Sequence, residues 1–187
     1  PVMSSAASDV YKRQLYDKVT TVEIDKSLIM SARSKIEFEP NYAYMAARML
    51  LNTIYKEVFG EGVDSDAFEL QYRKSFITNM RRLVREEILN PELLESFDLR
   101  ELSDKLNIER EKEWKYLGIQ TIYDRYLLHI NNRRMETPQA MWMRIAMGLA
   151  LNEKPEERQE YALKFYETLS CFCLLYTSPS PRDATTS

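Results

Sequence analysis

Four glycines in 187 residues leave no Gly-rich loop of the kind that cradles a nucleotide phosphate. A single histidine, His129, rules out the H-x-x-x-H and H-E-x-x-H ligand pairs, and no C-x-x-C occurs. The two cysteines, Cys171 and Cys173, are too few for a secreted disulfide framework and too close for an ordinary disulfide. At most they offer a two-ligand metal clip. No apolar run approaches the ~18–20 residues needed to cross a bilayer, and no basic segment followed by an apolar one opens the chain. A soluble, cytoplasmic protein without a membrane partner is therefore expected. The 26 basic and 29 acidic residues, net charge −3, form no long single-sign block, so no nucleic-acid partner is expected either.

What remains is enough for one ordinary domain: 44% hydrophobic and 29% charged residues, typical of a globular chain that buries a core. The two ends differ from this body. Codons GAT GTG TAT AAG AGA CAG encode Asp9 to Gln14; reverse-complemented and read one base later, they give C-L-L-Y-T-S, the stretch Cys173 to Ser178. The termini are compatible with one DNA element in opposite orientations and resemble translated transposon-end sequencing adapters. Residues 1–14 and 173–187 are thus expected to be disordered adapter sequence, with residues 15–172 forming one helical domain. On that reading half of the C-x-C is artificial.

The body reads as helices. DKSLIMSARSKI, residues 25–36, carries Leu28, Ile29 and Ala32 at helical spacing, and Pro40 discourages continuation. Asn41 is a candidate N-cap for YAYMAARMLLNTIYKEVF, with Gly60 placed as a left-handed cap. Ser65 or Asp66 starts a third helix with Phe68, Tyr72, Phe76, Met80, Leu83 and Ile88 on one face, and LRELSDKL adds a short amphipathic segment. Residues 107–113 read as a polar link. The next helix sets Trp114, Leu117, Thr121, Ile122 and Tyr126 to one side, with Gly118 a mild liability. HINNRRME predicts a hairpin around an Asn-Asn turn at about 127–136. Thr137 and Pro138 signpost the helix TPQAMWMRIAMGLAL, and PEERQEYALKFYETLS closes with Tyr161, Leu163, Phe165 and Leu169 inward.

Chemically reactive candidates are few. His129 lacks a ligand partner and reads as structural or surface. Cys171 reads as a packed, inert thiol. Glu86 with Glu87, and Glu109 with Glu111 and Glu113, read as solvated faces, because neighbours on a helix diverge by about 100°. The methionines at 45, 49, 80, 141, 143 and 147 read as core filling. Arg125, Arg133, Arg134 and Arg144 could meet an anion or pair with Asp124 and Glu136. No catalytic, cofactor-binding or metal residue is assigned.

Three stretches carry a resemblance. PNYAYMAARMLLNTIYKEVFG (residues 40–60), YLGIQTIYDRYLLHINNRRMETPQAMWMRIAMGLAL (116–151) and ERQEYALKFYETLSCF (157–172) resemble, in order and spacing, the helical N-terminal region of the ribonucleotide reductase large (α) subunit. The resemblance implies a mainly α fold, with the catalytic α/β barrel absent from this chain. It also implies a class I parent enzyme that reduces ribonucleotides, usually diphosphates, by thiyl-radical chemistry. The implied partners are a metal-containing β subunit that supplies the radical, a thioredoxin- or glutaredoxin-type reductant, nucleoside triphosphate effectors and a second α subunit. The family's substrate loop, redox cysteines and effector site come after these residues, and an ATP-binding cone, where present, comes before. No functional residue is carried over, and Cys171 does not match the first redox cysteine. A fragment inactive on its own, with exposed apolar helix faces, is expected. The alternatives are a class II, adenosylcobalamin-dependent reductase or a non-enzymatic helical interaction module.

Overall fold

A computed structural model describes residues 20–60 and 67–171. The stretches 1–14 and 173–187, expected to be disordered adapter, lie outside the described residues, as do the cap candidates Ser65 and Asp66. The described part is mostly helical with one small antiparallel ladder. Among the described residues, no helix is long and apolar enough to cross a membrane.

Helix α1, Thr21–Ser34, starts earlier than the apolar spacing alone suggested. Thr20 and Glu23 form a reciprocal capping box, in which the Thr20 N–H donates to Glu23 Oε2 at 2.9 Å. Ile29 and Ala32 are buried, whereas Leu28 is exposed. Helix α2, Tyr42–Phe59, buries Ala46, Ala47, Leu50, Leu51 and Ile54. It ends at Gly60, whose φ of 91° needs a residue without a Cβ. Asn41 has helical backbone angles and makes no side-chain cap bond.

Helix α3, Phe68–Arg85, buries Tyr72, Phe76, Met80 and Leu83. It stops before Ile88 because Glu87 adopts φ 58° while the Ile88 N–H returns to the Leu83 carbonyl at 2.9 Å. The same closure is usually made by glycine. Short helices α4, Glu92–Glu95, and α5, Leu99–Asp104, follow; Asp98 caps α5 by accepting from the Arg100 and Glu101 amides. The stretch expected to be a polar link is a 3-10 helix, Ile108–Glu113.

Helix α6, Tyr116–Arg125, turns Tyr116, Ile119 and Ile122 inward. Leu117 is 78% exposed and Tyr126 55%, so the inward stripe is displaced from the one expected. Gly118 proves to be a contact position: a Cβ there would stand 2.8 Å from the Trp114 ring. Strands β1, His129–Ile130, and β2, Arg133–Arg134, pair His129 with Arg134 and Ile130 with Arg133. Asn131 and Asn132, at φ 51° and 62°, make the turn predicted for them. Helix α7, Pro138–Ala150, and helix α8, Arg158–Ser170, share the most extensive helix contact in the fold. Small and methionine side chains of α7 (Ala140, Met143, Ala146, Met147) pack there with Ala162 and Tyr166.

Two apolar clusters result. One joins α1, α2 and α6 with Met141; the other joins α3, α4, α5, α7 and α8. Tyr55, Phe59 and Trp142 pack against both. At their seam the rings of Tyr55, Phe59, Phe68 and Tyr72 lie 5.0–6.2 Å apart.

Candidate functional site

The 3-10 helix decides what occupies that seam. Three residues per turn put Ile108, Glu111 and Trp114 on one side, so a glutamate follows the apolar residues inward. Glu111 is 1% exposed, the opposite of the solvated face expected for it; Glu109 and Glu113 do face solvent.

Among the described residues no cation pairs with Glu111. Its carboxylate accepts from the Tyr55 hydroxyl, from the Tyr72 hydroxyl at 2.5 Å and from the Gln139 backbone N–H at 3.0 Å. The network continues on the far side of Gln139, whose Oε1 accepts from the Tyr166 hydroxyl at 2.6 Å. Tyr166 in turn accepts from the Asn107 N–H at 2.8 Å. Five segments (α2, α3, the 3-10 helix, α7 and α8) are thereby tied through buried polar groups. Burial lifts the Glu111 carboxyl from 4.5 to about 7, against the opposing pull of its three donors. Burial, then the charge of Glu111, also raises both tyrosines well above their ordinary value. The phenols therefore stay neutral and act as donors.

A second glutamate lies three residues before Gln139. Glu136, 4% exposed, receives both arms of Arg144 at 2.8 Å and the Leu128 N–H at 2.8 Å. Thus each residue of the E-T-P-Q string has a structural task. Glu136 clamps α7 to the end of the hairpin, Thr137 and Pro138 begin the helix, and Gln139 joins the Glu111 network.

Arg133 and Arg134 are held in a third cluster. Glu57 accepts from the Tyr123 hydroxyl at 2.6 Å and from the Arg134 N–H at 2.9 Å, and the Arg134 guanidinium lies 3.9 Å from the Tyr123 ring centre. Arg133 Nε donates to the Glu57 carbonyl. Of the pairings considered for these arginines, Arg144 with Glu136 forms; Asp124 instead accepts from Gln120. Arg125 and His129 are exposed. Cys171, expected to be packed, is exposed at the end of α8. Of the methionines, 80, 141, 143 and 147 are buried, whereas Met45 is exposed. Among the described residues, no group of three or more His, Cys, Asp or Glu is placed to hold a metal ion.

Tyr55, Gln139 and Tyr166 of the hub and the whole Glu136 and Glu57 clusters lie in the stretches whose spacing suggested a reductase, whereas Glu111, Tyr72 and Asn107 lie outside them. The family model described as "Ribonucleotide reductase, all-alpha domain" matches residues 112–187. Over those residues the chain is similar to that domain. Its match begins one residue after Glu111, takes in α6, the hairpin, α7 and α8, and also runs over residues 173–187.

Relatives of this reductase type extend over most of the chain. The ribonucleoside-diphosphate reductase subunit alpha of Chlamydia trachomatis is 40% identical over 177 residues, covering 93% of this chain and 16% of that protein. The subunit alpha of Helicobacter pylori is 39% identical over 175 residues, 92% of this chain and 21% of that protein. The large subunit of Variola virus is 31% identical over 180 residues, 92% of this chain and 21% of that protein. The chain therefore spans about a fifth or less of the length of these oxidoreductases.

Proposed function

We propose that the chain is the helical region of a class I ribonucleoside-diphosphate reductase α subunit, whose parent reduces ribonucleotides to deoxyribonucleotides for DNA synthesis. Within that parent this region is scaffold. The observation that carries the reading is the use made of E-T-P-Q: two buried carboxylates, Glu111 and Glu136, are satisfied through Gln139 and Arg144, which hold α7 in place. Groups shut off from solvent to this degree fix geometry. In this reading the thiyl and redox cysteines, the substrate and the triphosphate effectors belong to later parts of the parent. The radical-generating metal belongs to a separate β subunit. A thioredoxin- or glutaredoxin-type reductant and a second α subunit complete the assembly in the cytoplasm.

The purified chain, mixed with a β subunit, a reductant and a ribonucleoside diphosphate, is expected to form no deoxynucleotide. Measurable turnover by this chain alone overturns the scaffold reading. The inverted match of the two termini supports an adapter origin for residues 1–14 and 173–187, whereas the family match over 173–187 weighs against it. The underlying DNA read decides: codons incompatible with a shared inverted element remove the adapter proposal. Extending that read past Phe172 also separates the class alternatives. A Ser-Thr-Pro-Thr-like loop followed by a cysteine supports a reductase, and a stop codon supports a helical interaction module. Dependence of the completed enzyme on adenosylcobalamin would replace class I by class II.

A further inference from the structure

Charge is unevenly placed in the fold. Helix α3 carries five basic residues against one acidic, although the whole chain has net charge −3. Arg73 is engaged by Glu69 at 2.7 Å and by the Ser103 carbonyl at 2.5 Å. The other four, Lys74, Arg81, Arg82 and Arg85, are exposed and make no ion pair among the described residues. Steps of seven and four residues set Lys74, Arg81 and Arg85 on one stripe of the helix. Beside that stripe runs a groove of about 600 Å³ between α3 and the α4–α5 segment. Its lining is mixed, with an apolar part in which Leu70 is 57% exposed and Ile77, Leu94 and Phe97 take part. Lys74 and Arg81 stand on one side and Arg100 on the other. Two carboxylates line it as well: Asp98, whose side chain is turned to the amides that begin α5, and Asp104.

We infer that this groove is a docking surface for an acidic amphipathic peptide segment of a partner protein. The apolar part suits leucine- or phenylalanine-type side chains, and cations on both sides suit flanking carboxylates. A nucleic acid fits less well: the groove's aromatic side chain, Phe97, is 6% exposed and offers no face on which a base could stack.

The test is fluorescence anisotropy of the whole chain with a short fluorescein-labelled peptide of glutamate and leucine. Saturable binding that weakens with added salt is expected. The variant Lys74→Glu/Arg81→Glu/Arg100→Glu should weaken it about tenfold or more, since rim charges each contribute modestly. Leu70→Ser should weaken it while leaving all cations in place, and Lys26→Glu, an equal kind of charge change on α1, should not. Circular dichroism confirms that each variant is folded. The inference is overturned by absence of binding, by equal binding of a leucine-free glutamate peptide, by equal loss with Lys26→Glu, or by tighter binding of a single-stranded oligonucleotide.

Discussion

Two buried glutamates both engage helix α7 and are satisfied in opposite ways. Glu136 meets a guanidinium with both oxygens, so its charge is cancelled where it stands. Glu111 meets two phenols and an amide, all neutral, and keeps the cost of desolvation as a raised proton affinity. The first arrangement is a clamp that one truncation leaves with an unpaired charge. The second is a hub whose donors come from three elements and whose charge state depends on the medium.

The largest expected effect lies on the clamp. Arg144→Met leaves Glu136 buried without its cation and should cost about 3–5 kcal/mol in urea denaturation. A cost below about 1 kcal/mol would mean that the ion pair is dispensable. On the hub, Glu111→Ala strands the Tyr72 and Tyr55 hydroxyls and the Gln139 amide, with an expected loss of about 2–4 kcal/mol. Adding Tyr55→Phe and Tyr72→Phe to that variant should recover part of the loss, because the stranded donors are then gone.

The raised proton affinity of Glu111 makes the hub sensitive to pH. Between pH 4.5 and about 7 the folded chain holds a proton on Glu111 that the unfolded chain has released. Stability should therefore fall as pH rises through that window, by about 3 kcal/mol from this group. Glu111→Gln should flatten the corresponding part of the stability curve; an unchanged slope would show that Glu111 titrates normally. The smallest effect is expected from Tyr55→Phe, about 1 kcal/mol, since Glu111 retains Tyr72 and the Gln139 amide. A loss as large as that of Glu111→Ala would show that one phenol carries the whole hub.

The clamp was more legible in the sequence than the hub. Glu136 and Arg144 are eight residues apart, flank a signposted helix start, and were natural partners on charge alone. Pro138 and Asn131–Asn132 likewise announced their structures through local backbone preferences, whereas Thr137, expected to cap the helix, stands at the N-cap position without a side-chain cap bond. Glu111 sits in the string E-R-E-K-E, where helical or alternating periods both predict solvent; only a repeat of three, linking Ile108, Glu111 and Trp114, turns it inward. Its donors lie 56 and 39 residues earlier and 28 later, so no local pattern names them. The outward placement of Leu28 and Leu117 has a similar origin: several apolar residues competed for each stripe, and neighbouring helices chose among them. Gly118 looked like a weakness because the Trp114 ring pressed against it is a tertiary fact.

Beside Glu111, Arg110 reaches the other way. Its guanidinium donates to Ser170 Oγ at 2.5 Å and to Glu167 Oε2 at 2.6 Å, gripping the last turn of α8. Two adjacent residues of one short helix thus pull on the interior and on the chain's exit from α8. The 3-10 helix thereby couples the position of the buried Glu111 network to that of the last turn of α8.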